Sequence, residues 1–310
     1  MNKYIKSAFN YTGGKYKLLD QLLPLFPLKY NRFIDLFAGS AVVSINIARL
    51  KETTEKEKIL INDMESNVIN FYKYIVNEDY QNIIKKIEEM INTYNLSLTM
   101  TYGYEYYDSN SLNGVAKYNK ENYLKLRNDF NNDNFSSNDK NIAFYLLTVY
   151  GFNNQIRFNK KGNFNLPVGK RDFNKTSMNK LKKFHKSLVE NKNRILFSND
   201  DFRNIKIKHS DFVYVDPPYS IGTASYNENG SWKYSDDEDL FEYLDHLNSI
   251  GAKFAMSNLI EHKGKTNSNL KFWASKYKIN PINFNYNNSN YQSTARKNKT
   301  QEVLITNYEV

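Results

Sequence analysis

The chain has no cysteine among its 310 residues. That excludes disulfides, thiolate zinc sites and a cysteine nucleophile. Its four histidines, His185, His209, His246 and His262, are scattered without metal-ligand spacing, so no metal site is expected. No run of about 18 apolar residues occurs, and no membrane-spanning helix is expected. The first residues lack the apolar stretch of a signal peptide. Two nucleotide signatures are also missing, the GxGxxG turn and the GxxxxGK[ST] loop. There are no internal repeats.

The length suffices for one large domain or two smaller ones with real cores. The formal net charge is +10. A basic surface favours polyanions such as nucleic acid. Abundant Lys, Asn, Ile and Tyr also mark A/T-rich coding, which contributes to that charge. The 25 tyrosines suit a polar, stacking surface.

Phe212-Val213-Tyr214-Val215 reads as a short buried strand, and Asp216-Pro217-Pro218-Tyr219 stops it. Prolines cannot continue a ladder, so Asp216 sits at the strand's carboxyl end, where open α/β sheets bind ligands. An exocyclic amine on an aromatic base is a poor nucleophile, because its lone pair is delocalised into the ring. A carboxylate accepting one N–H and a carbonyl accepting the other would hold the amine and favour sp³ geometry. Asp216 can be the carboxylate, the Pro217 carbonyl the second acceptor, and Tyr219 a stacking platform. A strand followed by a Pro-Pro turn and a capping Asp is the plain structural alternative.

Two further stretches precede it. Gly13-Gly14-Lys15 opens a pattern with Leu18, Leu19, Leu22 and Leu23 at helical spacing. Such a loop can hold an anionic group on backbone N–H groups, or be an ordinary helix entry. Phe33-Ile34-Asp35-Leu36-Phe37 reads as a strand, Ala38-Gly39-Ser40-Ala41 as a tight turn, and Val42 to Leu50 as an apolar helix. Asp35 beside a small-residue turn suits a cationic ligand such as a sulfonium amino acid. The strand Ile59 to Asn62 ends at Asp63, well placed for ribose hydroxyls or as an N-cap near Asn67. Together Asp35, Gly39 and Asp63 favour an adenosine-containing cofactor.

Asn67 to Tyr150 reads as mostly helical, with a packing stripe of Tyr72, Ile75, Ile83, Ile84, Ile87 and Ile91 and a loop from Ser97 to Tyr118. Helices are expected at Tyr123–Phe130 and Asn141–Tyr150. Residues 155–159 and 163–166 flank Lys160-Lys161-Gly162 and predict a hairpin. It carries Arg157, Lys160, Lys161, Lys170 and Arg171, interleaved with Phe152, Phe158 and Phe164. Basic residues and aromatics on a ribbon suit a DNA groove, or form a solvated basic hairpin. Lys180 to Lys192 reads as a basic helix and Arg194 to Ser198 as a strand. Phe202 could stack on an adenine or belong to the core. Ile221 to Trp232 reads as a flexible polar loop, Asp236 to Ser249 as a helix and Lys253 to Asn258 as a strand. Leu270 to Tyr277 reads as a helix, Asn283 to Asn298 as a mobile Asn/Ser-rich stretch and Glu302 to Asn307 as a final strand. Alternating strands and helices on both sides of a helical stretch predict one α/β domain with an insertion.

Taken together, Phe9-Asn10-Tyr11-Thr12-Gly13-Gly14-Lys15, Asp35-Leu36-Phe37-Ala38-Gly39-Ser40 and Asp216-Pro217-Pro218-Tyr219, in that order, resemble the Dam-type DNA adenine-N6 methyltransferases of the phage-like D12 class. Tyr150 to Arg157, Lys161 to Phe164 and Pro167 to Arg171 extend the resemblance over nearly the whole chain. It implies S-adenosylmethionine as methyl donor, double-stranded DNA as substrate, GATC as site and a flipped adenine. It implies a Rossmann-like mixed sheet with a mostly helical target-recognition domain inserted. The domain boundaries expected are 1–66 and 191–310 for the catalytic domain and 67–190 for the insertion, with its hairpin at 154–167. It places Tyr11, Lys15, Asp35, Phe37, Gly39, Asp63, Phe202 and Asp216 at the cofactor pocket. Asp216, Pro217 and Tyr219 fall in the catalytic motif. Phe152, Asn153, Gln155, Arg157, Pro167 and Arg171 fall on DNA, with Phe152 as an apolar wedge. The implied location is the cytoplasm of a bacterial or phage-infected cell. A cognate restriction endonuclease is a compatible partner, and no obligate protein partner is evident.

Gln155 departs from the apolar residue of close relatives, and Tyr104 to Asn113 is extra loop. The other readings are cytosine-N4 or RNA-adenine methylation, a non-catalytic DNA-binding relative, and a nicotinamide oxidoreductase. The last is disfavoured by the missing GxGxxG.

Overall fold

A computed structural model describes residues 3–11, 13–50, 57–221, 232–283 and 300–309. Thr12 and most of the expected loops at 221–232 and 283–298 lie outside them. The first elements are β1 (Arg32–Asp35), β2 (Lys58–Asn62), α1 (Leu19–Leu22) and α2 (Val42–Leu50). Six helices follow: α3 (Ser66–Asn77), α4 (Tyr80–Thr93), α5 (Thr99–Tyr102), α6 (Ala116–Asn131), α7 (Ser137–Tyr150) and α8 (Lys175–Glu190). Then come β3 (Ile195–Ser198), β4 (Asp211–Val215), α9 (Tyr234–Ser249), β5 (Lys253–His262), β6 (Lys265–Thr266), α10 (Ser268–Ala274), β7 (Lys278–Ile282) and β8 (Gln301–Thr306). The chain forms two compact units, one of residues Met1–Gly14 with Glu65–Asn193, the other of Lys15–Met64 with Arg194–Val310.

The second unit holds a mixed sheet in the order β3-β2-β1-β4-β5-β8-β7, with β6 paired to β5. The first five strands in that order run parallel, and β8 is antiparallel to both of its neighbours, β5 and β7. This is the expected α/β architecture with a mostly parallel sheet. Side chains alternate across it, as a period of two demands. Ile34, Val213, Val215, Phe254, Met256, Val303 and Ile305 share one core with Leu240 and Leu244 of α9 and Trp273 of α10. Phe33, Phe212 and Tyr214 instead meet Phe26 and Tyr30. Burial of both faces explains why β4 is apolar throughout rather than alternating.

β7 was not expected. It carries polar Lys278 and Asn280 and also Pro281, which argues against a central strand. At the end of the sheet Pro281 faces one partner only, and its missing N–H breaks nothing on the open side. Helix starts also differ from expectation. Asn174 caps α8 by accepting from the N–H groups of Thr176 and Ser177, so α8 begins five residues before Lys180. The helix expected from Tyr123 begins at Ala116.

The first unit is helical around an aromatic core. Phe9 packs against Phe71, Tyr72, Phe144 and Tyr145, and Phe71 stacks on Tyr145 at 5.1 Å. Tyr72, Ile75, Ile83, Ile87 and Ile91 are buried as the stripe requires, and Ile84 lies at its half-buried edge.

The expected hairpin is present as two arms but not as two regular strands. Its pairing is reduced to isolated bridges, Gly151 with Val168 and Phe158 with Phe164. Cross-arm backbone bonds flank the second bridge, from the Asn159 N–H to the Asn163 carbonyl at 2.8 Å and from the Asn165 N–H to the Arg157 carbonyl at 3.0 Å, and α6 holds the outer edge of the returning arm. The Asn131 side chain accepts from the Phe164 N–H at 2.8 Å and donates to the Phe164 carbonyl at 3.0 Å. Arg127 and Tyr123 donate to the Leu166 carbonyl. The returning arm is thus hydrogen-bonded to the other arm along one edge and to a helix along the other. At the turn Gly162, with φ +78°, donates to the Asn159 carbonyl.

The two arms meet where Gly169 donates to the Tyr150 carbonyl at 2.7 Å and Phe152 donates to the Pro167 carbonyl at 2.8 Å. A Cβ at Gly169 would lie 2.5 Å from the Gly151 carbonyl oxygen, which is backbone and cannot swing away. Gly169→Ala should force the arms apart and cost about 1–3 kcal/mol. Thermal unfolding checks this; an unchanged Tm would show that the arms separate freely.

Candidate active site

β1 and β4 are adjacent and parallel, with Asp35 in register with Tyr214. Their carboxyl ends therefore bring Asp35 and Asp216 to one edge of the sheet. The two carboxylates have different surroundings.

Asp216 is one-fifth exposed and 2.9 Å from the Lys15 ammonium. Lys15 is 5 % exposed, lies 3.4 Å from buried Glu302 of β8, and donates to the Tyr219 hydroxyl at 2.8 Å. Tyr219 in turn donates to Asp216 at 2.9 Å. Burial works against the charge of Lys15, but Asp216 and Glu302 outweigh it and raise its pKa. One cation thus serves two carboxylates.

Of the two readings of Gly13-Gly14-Lys15, an anion-holding loop and an ordinary helix entry, the local structure fits the second. The Gly14 N–H is taken by the Tyr11 carbonyl at 3.1 Å. Lys15 starts only a short 3₁₀ turn, Lys15–Leu18, and its charge is directed at Asp216.

Asp35 is 1 % exposed and accepts from the Ser44 hydroxyl at 2.6 Å and from the Ser44 N–H. Burial, with Asp216 and Asp63 adding repulsion, pushes its carboxyl up to about 7, against the pull of Ser44. Asp63 accepts from the Gly39 N–H at 2.7 Å and so fixes the turn after β1. It is not the helix cap; Glu65 caps α3 instead, accepting from Asn67. Phe202 is 2 % exposed and packs against Phe37, Trp232 and Tyr243, with the Arg203 guanidinium 4.5 Å over its ring. The core alternative for Phe202 is therefore realised; Phe37 is half-buried beside it.

The remaining residues belong to the helical unit, Tyr11 included. Phe152 is 50 % exposed in the 3₁₀ turn Phe152–Asn154, in which Asn153 and Asn154 both have φ +54°. Phe158 and Phe164 pack inward against Phe144, so of the three hairpin-region phenylalanines only Phe152 presents a free apolar face. Arg157 is clamped by the Asn165 side chain at 2.9 Å and the Asn165 carbonyl at 2.8 Å. Pro167 and Arg171 are exposed and Gln155 is half-buried.

Comparison with known proteins decides the family. The family model of the D12 class N6 adenine-specific DNA methyltransferases matches residues 11–293. The chain belongs to that class. It is 36 % identical to the modification methylase StsI of Streptococcus sanguinis and 35 % identical to the type II methyltransferase M.FokI of Planomicrobium okeanokoites. Each alignment covers 99 % of this chain and 43 % of the relative. The DNA N-6-adenine-methyltransferase of Escherichia phage P1 is 24 % identical over 90 % of the chain and 33 % of its own length. The chain therefore spans less than half the length of these relatives. Among the described residues no helix is long and apolar enough to cross a membrane, and no cluster of metal-binding side chains occurs.

Sequence reading of this D12 chain missed Ser44, Glu302 and Trp232. Glu302 left a trace, a lone carboxylate just before the apolar run Val303-Leu304-Ile305. Ser44 is likewise a single hydroxyl within an apolar helix.

The raised Asp35 carboxyl has a consequence for stability. Its folded value, about 7, lies above the unfolded value of about 3.9. Between those values the folded protein holds more protons than the unfolded chain. The contribution is therefore fully present below about pH 4 and is lost as pH rises through 7. Asp35→Asn should stabilise the ligand-free protein at pH 8 by roughly 1–4 kcal/mol and leave pH 4 little changed. Denaturant unfolding at both pH values checks this; equal stability of variant and wild type at pH 8 would contradict it.

Proposed function

We propose that the protein transfers a methyl group from S-adenosylmethionine to N6 of an adenine in duplex DNA. The observation that carries this reading is Asp216 at the end of β4, held between Lys15 and Tyr219 and followed by Pro217. When bound, the cofactor supplies an electrophilic methyl group on a sulfonium. Asp35 supports its binding: a buried carboxylate hydrogen-bonded by Ser44 gains most from a ligand ammonium. Asp63 suits ribose hydroxyls, being a carboxylate at the carboxyl end of β2 held against the Gly39 turn. Phe37 suits the adenine face, with Phe202 packed behind it. Lys15 completes the residues that the sheet unit brings to this pocket.

Asp216 accepts one N6–H and the Pro217 carbonyl accepts the other. The amine is thereby held with its lone pair directed out of the ring plane. Lys15 keeps Asp216 an acceptor in a buried setting. Tyr219, pinned by its hydroxyl, offers its ring to the base. Catalysis is then mainly positioning, since the amine's proton becomes acidic only after methylation. N6 is hidden in a duplex stack, so the base must be flipped out. Phe152, apolar and half-exposed, fits a wedge that offsets unstacking. Arg157, Asn153, Gln155, Pro167 and Arg171 face DNA in this reading. The rigid Asn165 clamp suits Arg157 to guanine recognition. The catalytic parts are assigned to 1–66 and 191–310 and target recognition to 67–190.

The proposed site is GATC. Gln155 can pair with adenine of the third base pair, and that pair is where relaxation is expected. Cytosine-N4 transfer is the second reading, because the same clamp can hold either amine. A cognate endonuclease fits the restriction-modification relatives.

Asp216→Ala should abolish methylation while DNA binding stays within a few-fold, because the lost contact is to the reacting amine. Methylation near the wild-type rate would remove Asp216 from the chemistry. Sequencing DNA modified by the wild type reads base and site together. N6-methyladenine in GATC is expected, and N4-methylcytosine would overturn the substrate assignment.

A further inference from the structure

α8 of the helical unit carries Lys180 toward the turn that presents Phe152. The Lys180 ammonium donates to Asn10 Oδ1. Asn10 Nδ2 donates to Asn154 Oδ1 at 3.1 Å. Asn154 Nδ2 donates to the Val149 carbonyl at 2.6 Å and the Thr148 carbonyl at 3.3 Å. Three side chains thus tie one ammonium to the carboxyl end of α7 and to the residue two positions after Phe152. Asn154 can take part because its left-handed φ of +54° turns its amide back onto the helix end.

Lys180 differs electrostatically from its neighbours. Lys86 and Lys140, comparably half-buried in the same unit, are paired with Asp139 and Asp133. Among the described residues Lys180 makes no ion pair, and its hydrogen-bond partner is a neutral amide. Burial and the like charge of Lys6 both act against its ammonium and lower its pKa. A half-buried cation crowded by a second cation and held by a rigid relay is a poor stability device. It is a good anion site, because an incoming anion removes the imbalance. The amide of Asn10 uses one of three ammonium donors, which leaves two for a ligand.

We propose that Lys180, positioned by Asn10 and Asn154, binds a DNA backbone phosphate beside the base step that Phe152 enters. The proposal rests on the reading that the helical unit binds duplex DNA. Backbone phosphate is favoured over a base edge because an ammonium is a point charge without the planar fork of Arg157. The contact would register the duplex on the turn, so that Phe152 meets the intended step. Arg157 and Gln155 would carry sequence and Lys180 would carry position.

The test is equilibrium binding of the full chain to two duplexes, one with GATC and one without, between about 50 and about 200 mM salt. Two variants remove the charge differently. Lys180→Met keeps the aliphatic stem, and Asn10→Asp leaves the lysine but supplies an internal counter-ion. Both should make the slope of log K against log salt shallower by about 0.9 and weaken both duplexes by the same factor. Lys180→Arg should restore the slope. Unchanged slope and affinity in Lys180→Met would overturn the proposal while leaving the DNA-binding reading intact. Loss confined to the GATC duplex would overturn it in favour of base readout. Wild-type protein that binds neither duplex would instead sink the functional reading on which it rests.

Discussion

Two carboxylates end neighbouring parallel strands, and among the described residues a cation pairs with only one of them. Like charges at adjacent strand ends are unfavourable in a buried setting, so each needs a partner or a proton. Asp216 has Lys15, itself shared with Glu302. Among the described residues Asp35 accepts from the hydroxyl and N–H of Ser44, and burial pushes its carboxyl up to about 7. The rest of the second unit follows from holding these strand ends fixed. The parallel register sets the edge, both faces of β4 are buried, and Asp63 draws the Gly39 turn inward.

In the proposed reaction the asymmetry would give each carboxylate a distinct task. Asp216, sharing the Lys15 ammonium with Glu302, would accept a hydrogen bond from a neutral amine. Asp35 is poised to gain from an external cation. Membership of the D12 methyltransferases fits this division, because methyl transfer to an amine needs one site for a cationic donor and one for a neutral acceptor. The helical unit adds the complementary feature, a hairpin fastened to α6 so that Phe152 and Arg157 are presented on supported backbone.

Much of this was legible in the sequence, for identifiable reasons. Strands buried on both faces are continuous apolar runs, so β1, β2 and β4 stood out, and their ends marked Asp35, Asp63 and Asp216. The helix Val42–Leu50 was bounded by its small-residue turn and matches the structure end to end. What escaped was set by tertiary context. β7 hides behind Pro281 because only its place in the sheet makes proline tolerable. The hairpin's returning arm is fastened along its outer edge by Asn131, an α6 residue distant in sequence. The partners of Lys15 lie some two hundred residues or more away, and no local pattern announces them. The roles proposed for Phe152 and Arg157 come from the Dam-type resemblance; periodicity alone gave only a basic, aromatic ribbon.

The claim that Asp35 awaits an external cation is tested most directly by proton-linked calorimetry. S-adenosylmethionine would be titrated into the protein at pH 6.5 in buffers of different ionisation enthalpy. At that pH a carboxyl near 7 is about three-quarters protonated, whereas the ligand's amine (ordinarily near 7.7–8.0) is almost fully charged. Binding should therefore release roughly three-quarters of a proton as the ammonium takes the proton's place on Asp35. Binding with no proton release, or with uptake, would contradict the account.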